Sequence, residues 1–425
     1  MLGDAVFRGL KEDTMILFKY SQLFPLCFAV FVSMLGFGLV MPLLPIYARD
    51  FGATGTQLGL LTASFAIARL ITTFPGGWLA DRAGRKKPII LGLLGYSIVM
   101  TLYGFSQDAN QLILLRGFQG MASGVVWPVI STMVVDTVLP KDRSKAMGLY
   151  EMAYFLGMVI GPGLGGILAG AFAIAAPFYV CGALAFMTSI LVTLTVKETF
   201  RANPESNHNK TKCSHPETHS TRDLKQNNVV KALKELTPYT SVFIGLCVAR
   251  FILAFSNSLM QPVLSVYANE EIGLSELNVG LLFTIQGIVT LFTTIPMGTV
   301  ADQMGRKPMI ILGMIVHAIA AMLVIFSGGF WLLLLVMTFR GFGRATSNPS
   351  ITAMFSGLVP VSKRGRGMGI FNIFQNVGLV AGATVGGLLY EFSSSESPFI
   401  ACSIVGLFGA LVVLLTVSEP KEGLQ

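Results

Sequence analysis

The 425-residue chain is 53% hydrophobic and only 12% charged, against roughly 25% charged in an average soluble domain, and its formal charge is +8. With a mean hydropathy of +0.69, this composition excludes a soluble enzyme, a disordered chain and a secreted disulfide scaffold. A bilayer core ~30 Å thick takes about 20 residues per helix, so twelve spans would use ~240, close to the roughly 225 hydrophobic residues present. The apolar stretches are continuous rather than alternating, which excludes an outer-membrane barrel. The chain reads as an all-α, multi-pass membrane protein.

An N-terminal segment, 1–21, carries Arg8, Lys11 and Lys19 and precedes a first predicted span over 22–48 that contains Phe37. That run is long enough to cross a membrane and follows acidic residues, so no cleavable signal is expected. The second span, 56–80, runs into a loop rich in glycine and charge, with Gly77, Asp81, Arg82, Gly84, Arg85, Lys86 and Lys87. The third covers 88–106. The fourth, 109–138, holds Arg116, Trp127 and Met133 and ends near Asp136. The fifth, 144–172, holds Gly148, Glu151, Gly157, Gly161, Pro162, Gly165 and Gly166, and the sixth covers 175–197. Residues 198–238 are polar, rich in Asn and Lys and without an apolar stripe, which predicts a linker. Within it, His208, Cys213, His215 and His219 are metal-ligating types, but no folded scaffold surrounds them and no metal is expected. Six further spans follow at 239–268, 276–301, 307–327, 330–358, 366–392 and 396–418, then a tail, 419–425.

Alternate loops collect the positive charge. Of the 30 Lys and Arg, 24 fall on the side of the two termini and the linker, and Arg49 stands alone on the other side. The positive-inside rule therefore predicts cytoplasmic termini. The remaining five, Arg69, Arg116, Arg250, Arg340 and Arg344, lie inside spans. The five cysteines are scattered, four of them within spans, and imply no disulfide framework.

The chain repeats itself. Gly77-Trp-Leu-Ala-Asp-Arg-Ala-Gly-Arg-Lys returns as Gly298-Thr-Val-Ala-Asp-Gln-Met-Gly-Arg-Lys, and Met41-Pro-Leu-Leu-Pro-Ile-Tyr-Ala parallels Gln261-Pro-Val-Leu-Ser-Val-Tyr-Ala. Arg116-Gly-Phe-Gln-Gly and Arg340-Gly-Phe-Gly-Arg pair the fourth and tenth spans, which would make the two arginines equivalent. Six helices used twice in parallel predict two pseudo-symmetric bundles, 22–197 and 239–418, around a central path.

These segments carry a resemblance. Gly77 to Leu91 resembles the loop between helices 2 and 3 of the major facilitator superfamily. Leu112-x-x-x-Arg116-x-x-Gln119-Gly120 is similar to the helix 4 motif of its proton-coupled exporters. Gly148, Gly157, Gly161-Pro162 and Gly165-Gly166 resemble the antiporter motif of the twelve-helix drug:proton antiporters, the group of the tetracycline-type exporters. The resemblance implies the major facilitator fold, with helices 1, 4, 7 and 10 lining the path and helices 2, 5, 8 and 11 forming the moving interface. It implies that Asp81 latches the halves together at the N-terminus of helix 11 in the outward-open state, with Arg85 reaching Asp136. Asp302 and Arg306 repeat the motif, with Ser356 where Asp136 stands. It also implies that the glycine seam of helix 5 meets helix 8 and that Arg116 takes part in proton transfer.

Glu151 is the single carboxylate deep within a span. Intramembrane charge is costly and is a functional hypothesis by default; the competing role is a structural ion pair with a buried arginine, Arg116 being the nearby candidate. Its repeat partner is Asn372, and Tyr154 and Phe155 correspond to Gln375 and Asn376, so this face is expected to line the cavity. Phe37, Trp127, Met133, Arg250, Asn257, Gln261, Arg340, Arg344, Asn348, Asn372 and Gln375 are candidate lining residues. His317 is expected to pack on an outer helix. There is no HExxH motif and no phosphate-binding loop, so neither a cofactor nor ATP hydrolysis is expected. The reading is proton-coupled export of small amphiphilic or drug-like compounds by alternating access, from a cell membrane and as a monomer. Export of an organic anion or metabolite on the same fold, proton-coupled uptake and a membrane receptor are the alternatives.

Overall fold

The computed structural model describes residues 19–198, 240–359 and 364–418. The predicted linker beyond Glu198, its histidines and Cys213, and the C-terminal tail lie outside the described residues, as does all but the last part of the N-terminal segment. The described residues form twelve α-helices: α1 Leu23–Asp50, α2 Gly55–Ala83, α3 Lys86–Tyr103, α4 Ala109–Thr137, α5 Arg143–Ala171, α6 Ala176–Thr195, α7 Thr240–Glu270, α8 Glu276–Met304, α9 Arg306–Ile325, α10 Phe330–Leu358, α11 Arg364–Phe392 and α12 Ser397–Thr416. Ten are long and apolar enough to cross a membrane. Outside that set are α3, which starts on Lys86-Lys87, and α10, which carries Arg340 and Arg344.

Local chemistry fixes the helix ends. Thr54 and Gln57 form a reciprocal capping box at the start of α2, and the Ser275 hydroxyl accepts from the Asn278 N–H at the start of α8. The reversals from α2 to α3 and from α8 to α9 turn on Gly84 (φ +88°) and Gly305 (φ +96°), a region hostile to residues with a Cβ. At the start of α3, two otherwise unpaired backbone groups, Arg85 N–H and Lys86 N–H, donate to the Glu198 carboxylate at 2.9 and 3.0 Å.

Helices α1–α6 pack as one bundle and α7–α12 as a second with the same pairings: α1 on α5, α2 on α4 and α3 on α6 are matched by α7 on α11, α8 on α10 and α9 on α12. Lipid tails offer no hydrophobic driving force between helices, so close backbone approach at small residues carries the packing. A Cβ on Gly157 or Gly161 would strike the α1 backbone at Phe31–Leu35 or Leu35–Leu39, and one on Gly378, Gly382 or Gly386 would strike α7 at Phe251, Phe255 or Leu259. The helix 5 seam thus lies against α1 of its own bundle, not against helix 8 as expected. Contact with α8 runs along the neighbouring face of α5, through Val159 facing Gly287, Gly163 facing Thr284, and Pro162 and Gly166 facing Gly280 and Leu277.

The bundles meet through α2 with α11, α5 with α8 and α1 with α7. One end of the molecule carries the Lys/Arg-rich loops; the other carries Asp50, Asp108, Glu270, Glu271, Glu276, Glu391 and Glu396. The halves close at the acidic end. There Arg49 makes a two-pronged ion pair with Glu270 (2.7 and 2.9 Å), Thr56 N–H donates to Glu391 at 2.7 Å, and Gly55 and Gly59 touch the α11 backbone at Gly387 and Ala383. Towards the basic end, Gly77 and Gly298 face open space and Phe74, Phe292 and Ile295 are exposed. The molecule is closed at its acidic end and open at its basic end.

Two predictions follow from these contacts. Gly161→Ala must push α5 off α1 and should cost ~1–3 kcal/mol, whereas Gly148→Ala meets nothing within 4 Å and should be neutral or gain ~0.5–1 kcal/mol; melting of the purified protein followed by intrinsic fluorescence compares them. The Arg49–Glu270 pair is partly exposed, which limits it to ~1 kcal/mol, a factor of about 5 in a two-state population. Arg49→Ala should raise the acidic-end-open population two- to fivefold, as ~2–5-fold more long-distance signal between nitroxides at positions 108 and 396 in electron–electron resonance.

Candidate functional site

Between the halves lies a cavity of about 80 Å³, lined by Phe37, Met41, Phe65, Arg69 and Arg116 on one side and by Gln261 and Asn376 on the other. A buried Arg116 and a half-buried Arg69 are unusual in an apolar wall, and aromatic faces receive both. The Arg116 guanidinium lies 4.7 Å from the Phe65 ring centroid and 5.5 Å from that of Phe37, and Arg69 lies 4.5 Å from that of Trp127. Arg116 Nη1 donates to Gln119 Oε1 at 2.6 Å. Tyr103 O–H donates to the same oxygen, Gln119 Nε2 donates to Tyr96 Oη, and Tyr96 O–H donates to the Ser33 carbonyl. The sequence motif exposed Arg116 and Gln119; the tyrosines and Ser33 come from α3 and α1, and no local pattern marked them. Phe65 and Arg69, on α2, were likewise absent from the expected lining.

Glu151 stands eight residues into α5, ~12 Å from its start at 1.5 Å per residue. At 100° per residue it points between the glycines that face α1 and Gly166, which faces α8. It is exposed and, among the described residues, has no hydrogen bond or ion pair. The expected approach to Arg116 is not made: Arg116 lies seven residues, ~10 Å, from the acidic-end start of α4, whereas Glu151 lies near the basic-end start of α5. Tyr154, one turn further along, lies within electrostatic reach of both Glu151 and Arg69 and packs edge-on against Trp127.

The second bundle is organised differently. Arg250 on α7 donates to Asn348 Oδ1 on α10 at 2.9 Å and to Gln375 Oε1 on α11 at 2.7 Å. Arg340, 1% exposed, donates to Asn257 Oδ1 at 2.7 Å. None of the five intramembrane arginines has an ion-pair partner among the described residues. Packing also corrects the repeat register. Gly120 meets Phe65 on α2 and Gly341 meets Gln286 on α8, an offset of 221 on both helices. Arg340 therefore corresponds to Gln119, and Arg116 to Met337; the matching Arg-Gly-Phe strings sit three residues, almost one turn, out of register.

Other expected residues are dispersed. Met133 is fully buried inside the first bundle, packed among core residues and away from the cavity, and Trp127 is 5% exposed behind Arg69. Asn372 is exposed on α11. His317 on α9 is 2% exposed and packs against α12, with Nε2 3.6 Å from Cys402 Sγ. Gly148 packs against nothing within 4 Å. At the basic end Arg85 forms an ion pair with Asp136 and also donates to the Thr132 carbonyl. Arg306 donates to Asp302 and to the Ala353 carbonyl, so Gly357, not Ser356, is the counterpart of Asp136. Asp81 is exposed with no bond to the other half, and the segment just before α11 lies outside the described residues.

The whole fold has solved counterparts and the sequence has relatives. A bacterial homologue of the human lysosomal transporter Spinster, in an inward-facing and occupied conformation, superposes with a TM-score of 0.77 at 14% identity, over 94% of this chain and 97% of that one. Multidrug resistance protein 2 of Bacillus subtilis is 31% identical over 382 residues, 89% of this chain and 91% of its own length. Quinolone resistance protein NorA of Staphylococcus aureus is 27% identical over 396 residues, 93% and 96% of the two chains. The family model described as Major Facilitator Superfamily matches twice, over residues 26–245 and 246–425. With two bundles of matching helix pairs around one cavity and both halves recognised, this multi-pass membrane protein belongs to the Major Facilitator Superfamily, a family of transporters and not of enzymes.

Proposed function

We propose that this chain exports small amphiphilic compounds in exchange for protons, by alternating exposure of the central cavity to the two sides of a cell membrane. Its termini and basic end face the cytoplasm, as the distribution of Lys and Arg favours, and it acts as a monomer. The relatives' names, multidrug and quinolone resistance proteins, support drug-like cargo.

The observation that carries the proton coupling is the isolation of Glu151. It is the single deep carboxylate, it has no described partner, and it lies beside the interface on the side where the halves have parted. A carboxyl removed from water holds its proton more readily, and a cationic group brought against it favours the ionised form. Substrate and proton then compete for one group, the reciprocal coupling that exchange requires. Tyr150 and Tyr154 are the titratable groups within its electrostatic reach and stand between it and Arg69, and Arg116 contributes through the walls of the cavity rather than through an ion pair. Asp81 serves the opposite conformation, closing the basic end against α11, while Arg85–Asp136 holds its loop to α4. An exporter of organic anions on the same fold is the second reading, favoured by five intramembrane arginines against one glutamate.

Glu151→Gln should fold and bind substrate but lose pH-gradient-driven efflux in proteoliposomes by at least tenfold; full gradient-driven transport by this variant returns Glu151 to a structural role. Asp81→Asn should leave substrate binding to the basic-end-open form unchanged and slow turnover severalfold, because only the other conformation loses a contact. Equal turnover by that variant and the parent protein would remove the latch from the cycle.

A further inference from the structure

The second bundle holds a cluster of positive charge that the export reading leaves unused. Arg250, Arg340 and Arg344 lie close enough for Arg344 to repel both others electrostatically. Buried charges are ordinarily paired, and an unpaired one in a membrane is costly. Yet between Asp302 and Glu391 the sequence contains no acidic residue, and between Asp223 and Glu270 only Glu235, which precedes α7. The acceptors around these guanidiniums, Asn348, Gln375 and Asn257, are neutral amides. They satisfy some N–H groups and cancel no charge. The Nε–H groups of all three arginines are buried without a hydrogen-bond partner.

The first bundle does not share the arrangement. By the packing register, Asn348 corresponds to Trp127 and Gln375 to Tyr154, an aromatic pair in edge contact. Where one bundle offers rings, the other offers a guanidinium held between two side-chain amides from α10 and α11. Asn348 and Gln375 hold Arg250 by one nitrogen each, and the guanidinium fork matches the two oxygens of an acid group.

We propose that Arg250 and Arg344 bind a carboxylate or sulfonate group of the transported compound, whose apolar body lies against the aromatic wall of the first bundle. This rests on the transport reading above and names its substrate class. The site is one of specificity and not of coupling: an anion bound here favours protonation nearby, the opposite of what exchange at Glu151 requires. Proton exchange stays with Glu151, and the acid group is read separately.

The test uses the full-length purified protein and two tritiated probes of the same shape, one an anion and the other a neutral amide, 1-naphthaleneacetate and 1-naphthaleneacetamide, with binding measured by scintillation proximity. The parent protein should bind the acid at least tenfold more tightly than the amide. Arg250→Gln and Arg344→Gln should each reduce that ratio at least tenfold, and Arg344→Lys should keep most of it. Glu151→Gln should leave the ratio intact. A parent protein that binds the acid no tighter than the amide, including one that binds neither, overturns the proposal. So does an unchanged ratio in both glutamine variants, their folding being checked by melting temperature. Gradient-driven efflux of a cationic dye by the parent protein and Glu151→Gln runs alongside. Loss of acid selectivity with Glu151-dependent efflux intact rejects this site alone, and Glu151-independent efflux with acid selectivity intact rejects the coupling alone.

Discussion

Backbone-to-backbone contact at glycine is the constraint on which the rest of this molecule depends. Water cannot drive one apolar helix onto another inside a bilayer, so cohesion comes from close approach. Two seams supply it: Gly157 and Gly161 with Gly165 on α1, and Gly378, Gly382 and Gly386 on α7. Each seam joins a path-lining helix to an interface helix. Glu151 and Gln375 ride on the interface helices, Phe37 and Arg250 on the path-lining ones. A movement between the halves therefore carries each pair as one piece, because any slip within a seam drives a side chain into a carbonyl.

The contacts between halves are of another kind. At the acidic end they combine small residues with a partly exposed ion pair and one charge-assisted backbone bond from Thr56 to Glu391. Such a bridge is specific in geometry yet weak, worth ~1 kcal/mol or less when solvated. The seams within each bundle cannot be parted so cheaply. That difference in strength puts the easy movement between the bundles.

Charge separates the two bundles further. In the first, Arg69 and Arg116 lie on aromatic faces and Arg116 is held by Gln119. In the second, Arg250 and Arg340 donate to amide oxygens. A pseudo-symmetric scaffold thus presents unlike walls to one cavity: rings with Arg69 and Arg116 on one side, the amides of Gln261 and Asn376 on the other. Symmetry governs the backbone, and the lining departs from it.

Much of this was legible from the chain alone. A predominantly apolar run of about 20 residues has one outcome in a bilayer, a helix, so the twelve helices, their order and the two-fold repeat followed from composition and from strings such as Gly77–Lys86 and Gly298–Lys307. The deep position of Glu151 and the five arginines was visible for the same reason, since charge stands out in an apolar background. Three matters needed the tertiary structure. A glycine stripe announces a close contact but not its partner, and only packing turned Gly157 and Gly161 to α1 instead of α8. Short strings can match out of register, and Arg116 and Arg340 were paired until Gly120 and Gly341 located their neighbours on α2 and α8. Partners of charged side chains come from helices distant in sequence, so neither the Tyr96–Tyr103–Gln119 support of Arg116 nor the solitude of Glu151 could be read along the chain. Hydrophobicity is a property of a segment and survives in one dimension; who touches whom is a property of helix rotation, which packing alone decides.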